Sequence, residues 1–505
     1  MQTTATGSPG VLGTRGSRWA PNCAHDRSHI VDSRFFGHGY STAASRSIFC
    51  DVCGMQRWLD IEVALAQSQA ELGMVPEAAA AEIDRALQME HMDIEQVRAG
   101  IVRSEHSLVS LLAVAKAACG GNAGEYLHYG ATTQDIIDTG RVLEIRSVLD
   151  ELERELGRLI LELMGLARSH RDTLMIGRTH ARPALPTTFG LKVAGWLDEL
   201  LRHSERLEAA RQRVLVVELF GGVGTMAGFN GRGRELVEGF ARRLSLNAPA
   251  IGWHVARDRI AEYATTLAML TATLGRIADE VRMLSRPEYG ELEEAWHQGK
   301  IGSSTMPHKR NPEKLEQVVV LARLTRASAS LAVEGMILEH ERDSRGTRLE
   351  WVAVPEVSHY TLAAMAILRP VLAGLTVHDV HMADQARQAS EQVCTEALML
   401  ALARSVGKQS AHGLVYELSQ EAQSRGLSLR SVLAARHDVT SRLELGELET
   451  ILDPARYLGA AGEMVDLTLD AAQRWLDDAP CRWNRRKART GPPGRAGWRT
   501  GHGPG

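Results

Sequence analysis

The sequence predicts an all-α protein built around a central bundle of long helices, and three observations support this fold class. Ala, Leu, Glu and Arg are abundant, whereas aromatic residues make up only 5% of the 505 residues and prolines number 16. This composition favours helix over sheet. Apolar residues recur at helical spacing along most of the chain, and no segment alternates apolar and polar residues convincingly enough to predict a β-strand.

The clearest helix lies between residues 142 and 166. Its apolar residues are spaced alternately three and four apart: Val142, Ile145, Leu149, Leu152, Leu156, Leu159, Leu163 and Leu166. This spacing predicts one apolar face on a single long helix that packs in a bundle. Similar stretches cover about 187–215, 233–250, 256–285 and 312–340. Because one small bundle cannot cover so many apolar faces, we expect the chain to oligomerise through a shared bundle.

Composition also suggests how the chain is divided. Residues 1–29 are rich in Gly, Ser, Thr and Arg, and residues 479–505 form a basic, Gly- and Pro-rich tail, so both segments are predicted to be disordered. Between them we predict a small helical domain at 30–127, the long-helix bundle at 128–375 and a second small helical domain at 376–478. The basic tail is expected to be a dispensable extension.

Charge and cysteine content exclude several classes of protein. The net charge of -4 and the pI of about 6.6 do not favour a nucleic acid or an anionic membrane as partner. Six scattered cysteines are too few for a disulfide scaffold, and Cys50 and Cys53 form a CxxC without the second pair that a zinc site needs. No secretory segment and no membrane-spanning stretch is evident, so we expect a reduced, cytoplasmic protein.

Residues 302–316 carry the chemistry. They read Gly-Ser-Ser-Thr-Met-Pro-His-Lys-Arg-Asn-Pro-Glu-Lys-Leu-Glu, so glycine, serines and prolines interrupt a chain that is otherwise helical. This pattern predicts a mobile loop that presents hydroxyls, amides and a cation. Such a loop can close over a dicarboxylate and exclude water.

The string resembles the signature of the fumarase/aspartase superfamily, GSSxMPxKxNxxxxE, and meets every fixed position. Two further blocks are similar to that family: 128–135, His-Tyr-Gly-Ala-Thr-Thr-Gln-Asp, and 177–190, which begins Gly-Arg-Thr-His. The resemblance covers about residues 30–478 and is closest to the adenylosuccinate lyase and 3-carboxymuconate cycloisomerase branch. It implies a homotetramer with a central helical bundle, active sites built from three subunits each, and a reaction that releases fumarate from a small dicarboxylate.

The resemblance also implies roles for single residues. Ser303 is similar to the serine that removes the substrate proton, and Lys309 and Asn311 match positions that hold the resulting dianionic aci-carboxylate. An alkoxide is a usable base only where its charge is stabilised, which the loop amides and Lys309 can do in a dry site. His180 matches a histidine that acts as general acid or binds carboxylate in different branches. A lone histidine is more often structural, but its Gly-Arg-Thr-His context favours the site.

The remaining candidates are substrate-binding residues. Thr132, Thr133 and Thr179 are expected to donate hydroxyl hydrogen bonds to the substrate carboxylates. His106 lies where adenylosuccinate lyases keep a second active-site histidine, and Gln134 resembles the cycloisomerase branch. A further cation, Arg202, is long enough to reach a carboxylate, with a surface ion pair as the equal alternative.

The identity of the leaving group is less constrained. Residues 340–343, His-Glu-Arg-Asp, resemble adenylosuccinate lyases, but Thr347 and Trp351 stand where those enzymes place a serine and an arginine that hold the nucleotide phosphate. Unless Arg345 or Arg348 binds the nucleotide phosphate instead, the phosphate loses a strong charge-assisted pair with arginine.

The chain also resembles nitrosuccinate lyases of nitrite-forming biosynthetic routes, and we predict elimination of nitrite from nitrosuccinate, with cleavage of a C–N bond. Adenylosuccinate lyase, cycloisomerase-like and aspartase-like activities are alternatives, and a catalytically silent structural homologue is a remote one. The resemblance implies no cofactor. No cluster of metal ligands is evident, so chelation is expected to leave activity unchanged.

Overall fold

The computed structural model describes residues 29–297 and 299–478 and confirms the all-α class. The segments predicted to be disordered lie outside the described residues, apart from His29. The helices are α1 (Ala43–Ile48), α2 (Asp51–Glu71), α3 (Glu77–Ala86), α4 (Ile94–Ser104), α5 (Ser107–Ala118), α6 (Thr133–Ser169), α7 (Phe189–Val214), α8 (Gly233–Leu244), α9 (Asp258–Leu284), α10 (Glu313–Glu334), α11 (Arg345–Ala373), α12 (Asp379–Gln388), α13 (Ser390–Val393), α14 (Thr395–Val406), α15 (Lys408–Arg425), α16 (Leu429–Ala435), α17 (His437–Thr440), α18 (Leu445–Ile451) and α19 (Ala461–Asp477).

The five longest helices, α6, α7, α9, α10 and α11, pack together as the central bundle. The predicted seam lies on α6, where its residues from Val142 to Leu163 are buried and Leu166 is partly buried. The structure ends α8 and α10 earlier than predicted. A left-handed Ser245 follows α8, and Gly335 follows α10. Burial of the seam is what favours one continuous helix of 37 residues here.

The bundle has two functional ends. The threonine end comprises 128–135, 217–221, 254–257 and 336–348, where α6 and α9 begin, α7 and α10 end, and α11 begins. The loop end comprises 170–188, 285–312 and 374–378, where α6, α9 and α11 end. Since α6 alone spans the bundle with 37 residues, the two ends lie about 55 Å apart.

The described residues form three hydrophobic cores. The largest fills the bundle, a second lies among α2 to α5, and a third lies within the helices that follow α11 and includes Leu174 and Ile176. The predicted domain bounds at 127/128 and 375/376 are not boundaries between these cores, since the largest core also includes Ile61, Leu108 and Val465. They stay predictions, because the third core takes two residues from a segment far outside its domain.

The expectation of no β-structure was wrong at the loop end. Strand β1 (Leu174–Thr179) pairs with β2 (Arg182–Thr188) as an antiparallel hairpin, and β3 (Leu292–Glu293) pairs with β4 (Thr376–Val377). The first three residues of β1 are all buried, so the strand lacks the alternation that predicts a half-buried strand. Pro183 and Pro186 in β2 further hid the hairpin, since proline is uncommon in strands.

One described helix, α11, is long and apolar enough to span a membrane by length and composition, which the sequence analysis did not recognise. About 67% of its apolar window is buried inside the protein, where it packs against α6, α9 and α10. The helix is therefore a core helix of the bundle.

Candidate active site

A cavity of about 430 Å³ opens at the threonine end. It is lined by Glu105, His106, Ser107, Thr132, Thr133, Gln134, Ile137, Arg342, Asp343, Ser344, Thr347, Arg348 and Trp351. Thr132 is the N-cap residue of α6 and Thr133 is its first residue, so both hydroxyls lie at the positive end of a long helix. Four of the predicted site residues, His106, Thr132, Thr133 and Gln134, thus line one cavity.

Hydrogen bonds connect these residues across the cavity. The Nε2 atom of His106 lies 3.4 Å from the Oγ1 of Thr133, and its Nδ1 accepts from the backbone N–H of Val109 at 3.3 Å. Arg342 donates from Nη1 to the Oγ1 of Thr132 at 2.8 Å. Arg342 belongs to the His-Glu-Arg-Asp motif at 340–343, which by itself does not indicate a role for this guanidinium. Its adjacency to Thr132 follows from the packing of the segment after α10 against the start of α6.

Gln134 lines the cavity but turns its amide inward. Its Nε2 donates to Asp138 at 2.9 Å and to the backbone carbonyl of His254 at 2.8 Å. Its two donor hydrogens are therefore used within the chain. The predicted substrate contact is not available from this group as it stands.

Ser303 lies at the loop end, half-buried. Its Oγ accepts hydrogen bonds from the backbone N–H groups of Met306 at 3.0 Å and Thr305 at 3.3 Å. Two amides directed at one hydroxyl oxygen stabilise negative charge on it, as predicted for an alkoxide. The Lys309 side chain is exposed in the same loop and makes no ion pair with any described residue.

Asn311 connects the two ends of this loop by a hydrogen bond. Its Nδ2 donates to the carbonyl oxygen of Gly302 at 2.6 Å. The chain approaches itself so closely here that a Cβ at Gly302 would overlap the carbonyl oxygen of Lys309. Within one chain, Asn311 is thus a structural residue of the loop as well as a predicted carboxylate ligand.

Thr179 and His180 lie at the exposed tip of the β1–β2 hairpin. Thr179 pairs with Arg182, and the two residues between them, His180 and Ala181, have φ of 50° and 61°. Positive φ at both positions is typical of a type I′ turn and costs side-chain-bearing residues about 1 kcal/mol each. The backbone at the tip is therefore strained, and the His180 side chain is exposed there.

The hairpin is anchored beside the Ser303 loop. Arg178 donates to both carboxylate oxygens of the buried Glu291 at 3.0 and 2.6 Å, and its guanidinium lies 4.7 Å from the ring centroid of Tyr289. Two β3 residues, Leu292 and Glu293, follow directly and line a smaller cavity with Asn311. The hairpin and the Ser303 loop thus belong to the same end of the bundle.

One chain does not bring all the predicted residues together. His106, Thr132, Thr133 and Gln134 lie at the threonine end, whereas Thr179, His180, Ser303, Lys309 and Asn311 lie at the loop end. Arg202 lies midway along α7, where it forms an exposed ion pair with Asp198, the alternative that the sequence left open.

Known proteins are similar to this chain along most of its length. Residues 40–324 match the family model described as "Lyase", and 391–468 match the "Adenylosuccinate lyase C-terminus" model. The chain is 40% identical over 439 residues to N-acetyl-S-(2-succino)cysteine lyase of Dickeya dadantii, covering 87% of this chain and 96% of that protein. It is 37% identical over 440 residues to adenylosuccinate lyase of Methanothermobacter thermautotrophicus, covering 86% and 98%.

A solved structure is equally similar. The fumarate lyase from Mesorhizobium sp. BNC1 matches with a TM-score of 0.80 and 37% identity, covering 85% of this chain and 98% of that one. The first family model covers more than half of the chain, and the relatives are matched along nearly their whole length. The chain therefore belongs to the fumarase/aspartase superfamily of lyases, in the branch that includes adenylosuccinate lyase and 3-carboxy-cis,cis-muconate cycloisomerase.

Proposed function

We propose that this lyase releases fumarate from a 2-substituted succinate by β-elimination. The C–H bond at carbon 3 breaks first, and its electrons enter the adjacent carboxylate as a dianionic aci-carboxylate. They then form the C2–C3 double bond as the bond from carbon 2 to the leaving group breaks. The products are fumarate and the protonated or anionic leaving group.

Ser303 is the proposed base. The two amides of Thr305 and Met306 that bond its Oγ carry the proposal, because they lower the cost of the alkoxide. The exposed ammonium of Lys309 lies in the same loop and would gain an anionic partner when the aci-carboxylate forms. His180, at the hairpin tip, would protonate the leaving group or bind the second carboxylate.

The threonine end is the proposed carboxylate-binding half of the site. Thr132, Thr133 and His106 present two hydroxyls and an imidazole to the cavity, and Arg342 adds a guanidinium bonded to Thr132. A guanidinium with adjacent hydroxyl donors is well suited to bind a carboxylate with two hydrogen bonds. Thr179 is proposed to bind carboxylate from the loop-end half.

The two halves are proposed to meet in a homotetramer whose sites are shared between three subunits. About 55 Å separates them in one chain, so other subunits must supply the missing half. Large apolar side chains on the bundle helices support this assembly, since Leu161 on α6, Met269 on α9 and Val320 on α10 are 54%, 47% and 40% exposed. Antiparallel association of bundles would bring the threonine end of one subunit to the loop end of another.

The leaving group is proposed to be a thiol of the S-(2-succino)cysteine type. The cavity of about 430 Å³ at the threonine end is larger than succinate with a small substituent needs. Its lining includes Arg348 and the half-exposed Trp351, which suit a substituent with an anionic group and an apolar stem. The Dickeya relative bears the name of such an activity. Adenylosuccinate, in which a C–N bond would be cleaved, is the alternative substrate. Thr347 and Trp351 argue against it, because they replace the serine and arginine that hold the nucleotide phosphate in adenylosuccinate lyases.

Nitrosuccinate stays a prediction from the sequence. Nitrite is a weak base and can leave without a proton, so this substrate needs little from His180. None of the residues that line the cavity distinguishes a nitro group from a carboxylate.

A substrate panel tests the proposal. Purified protein is given N-acetyl-S-(2-succino)cysteine, adenylosuccinate, nitrosuccinate and aspartate, and fumarate is followed by its absorbance while thiol and nitrite are measured separately. Fumarate with equimolar thiol from the first compound is the expected result, and Ser303→Ala serves as the blank. Fumarate from adenylosuccinate or nitrosuccinate alone would reassign the leaving group. No fumarate from any compound would favour a catalytically silent homologue.

We further propose that the protein works in a reducing compartment such as the cytoplasm. The four described cysteines, Cys50, Cys53, Cys119 and Cys394, are free thiols. Cys50 immediately precedes α2 and Cys53 lies in its first turn.

A further inference from the structure

A buried polar network lies directly beneath the threonine end. Its centre is Asp135, which is fully buried in the first turn of α6. The Oδ2 of Asp135 accepts from the N–H groups of Thr132 at 2.9 Å and Gly221 at 3.0 Å, and its Oδ1 accepts from the N–H of Phe220 at 3.0 Å. One carboxylate therefore fixes the backbone of Thr132 against the segment that follows α7.

The fourth donor to Asp135 is a side chain. The Nε2 of His254 lies 2.9 Å from the Oδ1 of Asp135, and the carbonyl oxygen of His254 accepts from Gln134. His254 is only 4% exposed. It thus holds both the carboxylate that orients Thr132 and the amide beside Thr133, without lining the cavity itself.

Glu218 lies behind His254. Its Oε1 is 3.4 Å from the Nε2 of His254 and has no hydrogen-bond partner among the described residues, while its Oε2 accepts from the N–H of Trp253 at 2.7 Å. Burial, together with the charges of Asp138 and Asp135 on α6, raises the pKa of Glu218 to about 9, against smaller opposing effects of the Trp253 N–H and of Arg257. A neutral Glu218 does not compete with Asp135 for the imidazole N–H.

The charges that face Glu218 come from each neighbouring element. Asp135 and Asp138 lie on α6, and Arg257 lies just before α9, where it binds both Asp138 and Glu350 of α11. The imidazole of His254 completes the set. Only Glu218 among the carboxylates lacks a cation or several N–H donors, which is why the proton resides there.

Asp135, Glu218 and His254 are also the one group among the described residues whose donor atoms lie close enough together to suggest a metal site. Their geometry favours hydrogen bonding instead. Both oxygens of Asp135 already accept backbone N–H groups, and the 2.9 Å between Nε2 and Oδ1 is a hydrogen-bond length. An ion would have to break that bond and displace the Glu218 proton.

We propose that His254 is a positioning residue for substrate binding, which acts through Asp135 to hold Thr132 and Thr133 in the geometry that binds the substrate carboxylate. The inference rests on the proposed role of these threonines. Loss of the imidazole N–H would leave Asp135 with one donor fewer and free the start of α6 to shift. Small displacements of binding groups are costly, so the effect should fall on KM more than on kcat.

Three variants test this inference, each with steady-state kinetics, tetramer mass and Tm. His254→Leu removes the donor and is expected to raise KM about tenfold with a smaller change in kcat. His254→Gln places an amide N–H near the former Nε2 and is expected to restore most of the affinity. His203→Leu is the matched control, because His203 is equally buried in the bundle and bonds Thr273 2.8 Å away, remote from the cavity.

The outcomes separate the inference from the proposed function. A KM in His254→Leu that equals that of His203→Leu, or a Gln variant as impaired as the Leu variant, would overturn the positioning role. If His254→Leu does not fold, His254→Asn replaces it, since its shorter amide cannot reach Asp135. Thr132→Ala and Thr133→Ala test the underlying site: unchanged KM in both would refute the role of the threonines, whereas raised KM there with normal His254→Leu refutes only the present inference.

Discussion

The two ends of the bundle differ in how their functional groups are held. At the threonine end, Thr132 is fixed by Asp135 and Arg342, and the network below is fully buried. At the loop end, Ser303 and His180 lie on a loop and a hairpin tip with few side-chain contacts, although each segment is anchored at its base. The difference suggests a division of roles. The threonine end, which is held firmly, binds the carboxylates, whereas the loop end supplies proton transfer and closes over the substrate.

The largest expected effect on turnover is at the loop end. Ser303→Ala should keep the oligomer but lower kcat by about a thousandfold or more, because general-base catalysis is lost. Ser304→Ala is the matched control, since only Ser303 receives the two loop amides. Turnover with fumarate release is measured beside sedimentation of both variants. Normal activity in Ser303→Ala would remove Ser303 from its role.

The next prediction tests whether the threonine end and the loop end of one site come from different subunits. Two variants are compared, Ser303→Ala and a double variant that carries Thr132→Ala and Thr133→Ala. Each should be inactive alone. Activity should return when the two chains are co-expressed with different tags and purified as mixed oligomers. Some sites then combine an intact threonine end with an intact loop from another subunit. Mixed oligomers that stay inactive would indicate that both halves of a site come from one chain.

A smaller effect is expected from loss of the Arg342 guanidinium at the threonine end. Arg342→Ala should raise KM by roughly 10- to 100-fold, equal to about 1.4 to 3 kcal/mol of binding, with a smaller loss of kcat. Arg345→Ala is the control, because Arg345 is three residues away but pairs at the surface with Asp343 and Glu339. Equal KM in the two variants would argue against a carboxylate ligand at 342.

The last prediction concerns stability and pH and not turnover. Glu218 has a folded-state pKa raised from 4.5 to about 9, so the folded protein keeps a proton that the unfolded chain loses above pH 4.5. Stability from this group is therefore fully present below pH 4.5 and declines as pH rises, by at most about 1.4 kcal/mol per unit, until about pH 9. Glu218→Gln should lack this decline, so its free energy of unfolding, measured by urea titration between pH 5 and 9, should gain on the wild type as pH rises. Parallel curves would contradict a buried neutral acid.

The long helices were predictable from sequence because their apolar spacing is set by local geometry, as the seam from Val142 to Leu166 illustrates. The loop could be recognised because Gly302, Ser303 and Pro307 interrupt that spacing. The hairpin at 174–188 could not, since its burial comes from helices α12 and α13 far along the chain.

The direction of single side chains was also beyond the sequence. Gln134 was predicted to face the substrate, yet its amide bonds a carbonyl 120 residues away. Arg342 was part of a recognised motif, yet its partner Thr132 is 210 residues distant. Residue type predicts what a group can bind, whereas only the packed chain decides which partner is within reach.

The turn at His180 and Ala181 has a consequence for changing the enzyme. Residue 180 is exposed at the tip of the hairpin, so another side chain placed there would displace no buried neighbour. If His180 assists the leaving group as proposed, exchange of that one residue for an acid or an aromatic ring is a direct way to test other leaving groups, with the rest of the proposed site left in place.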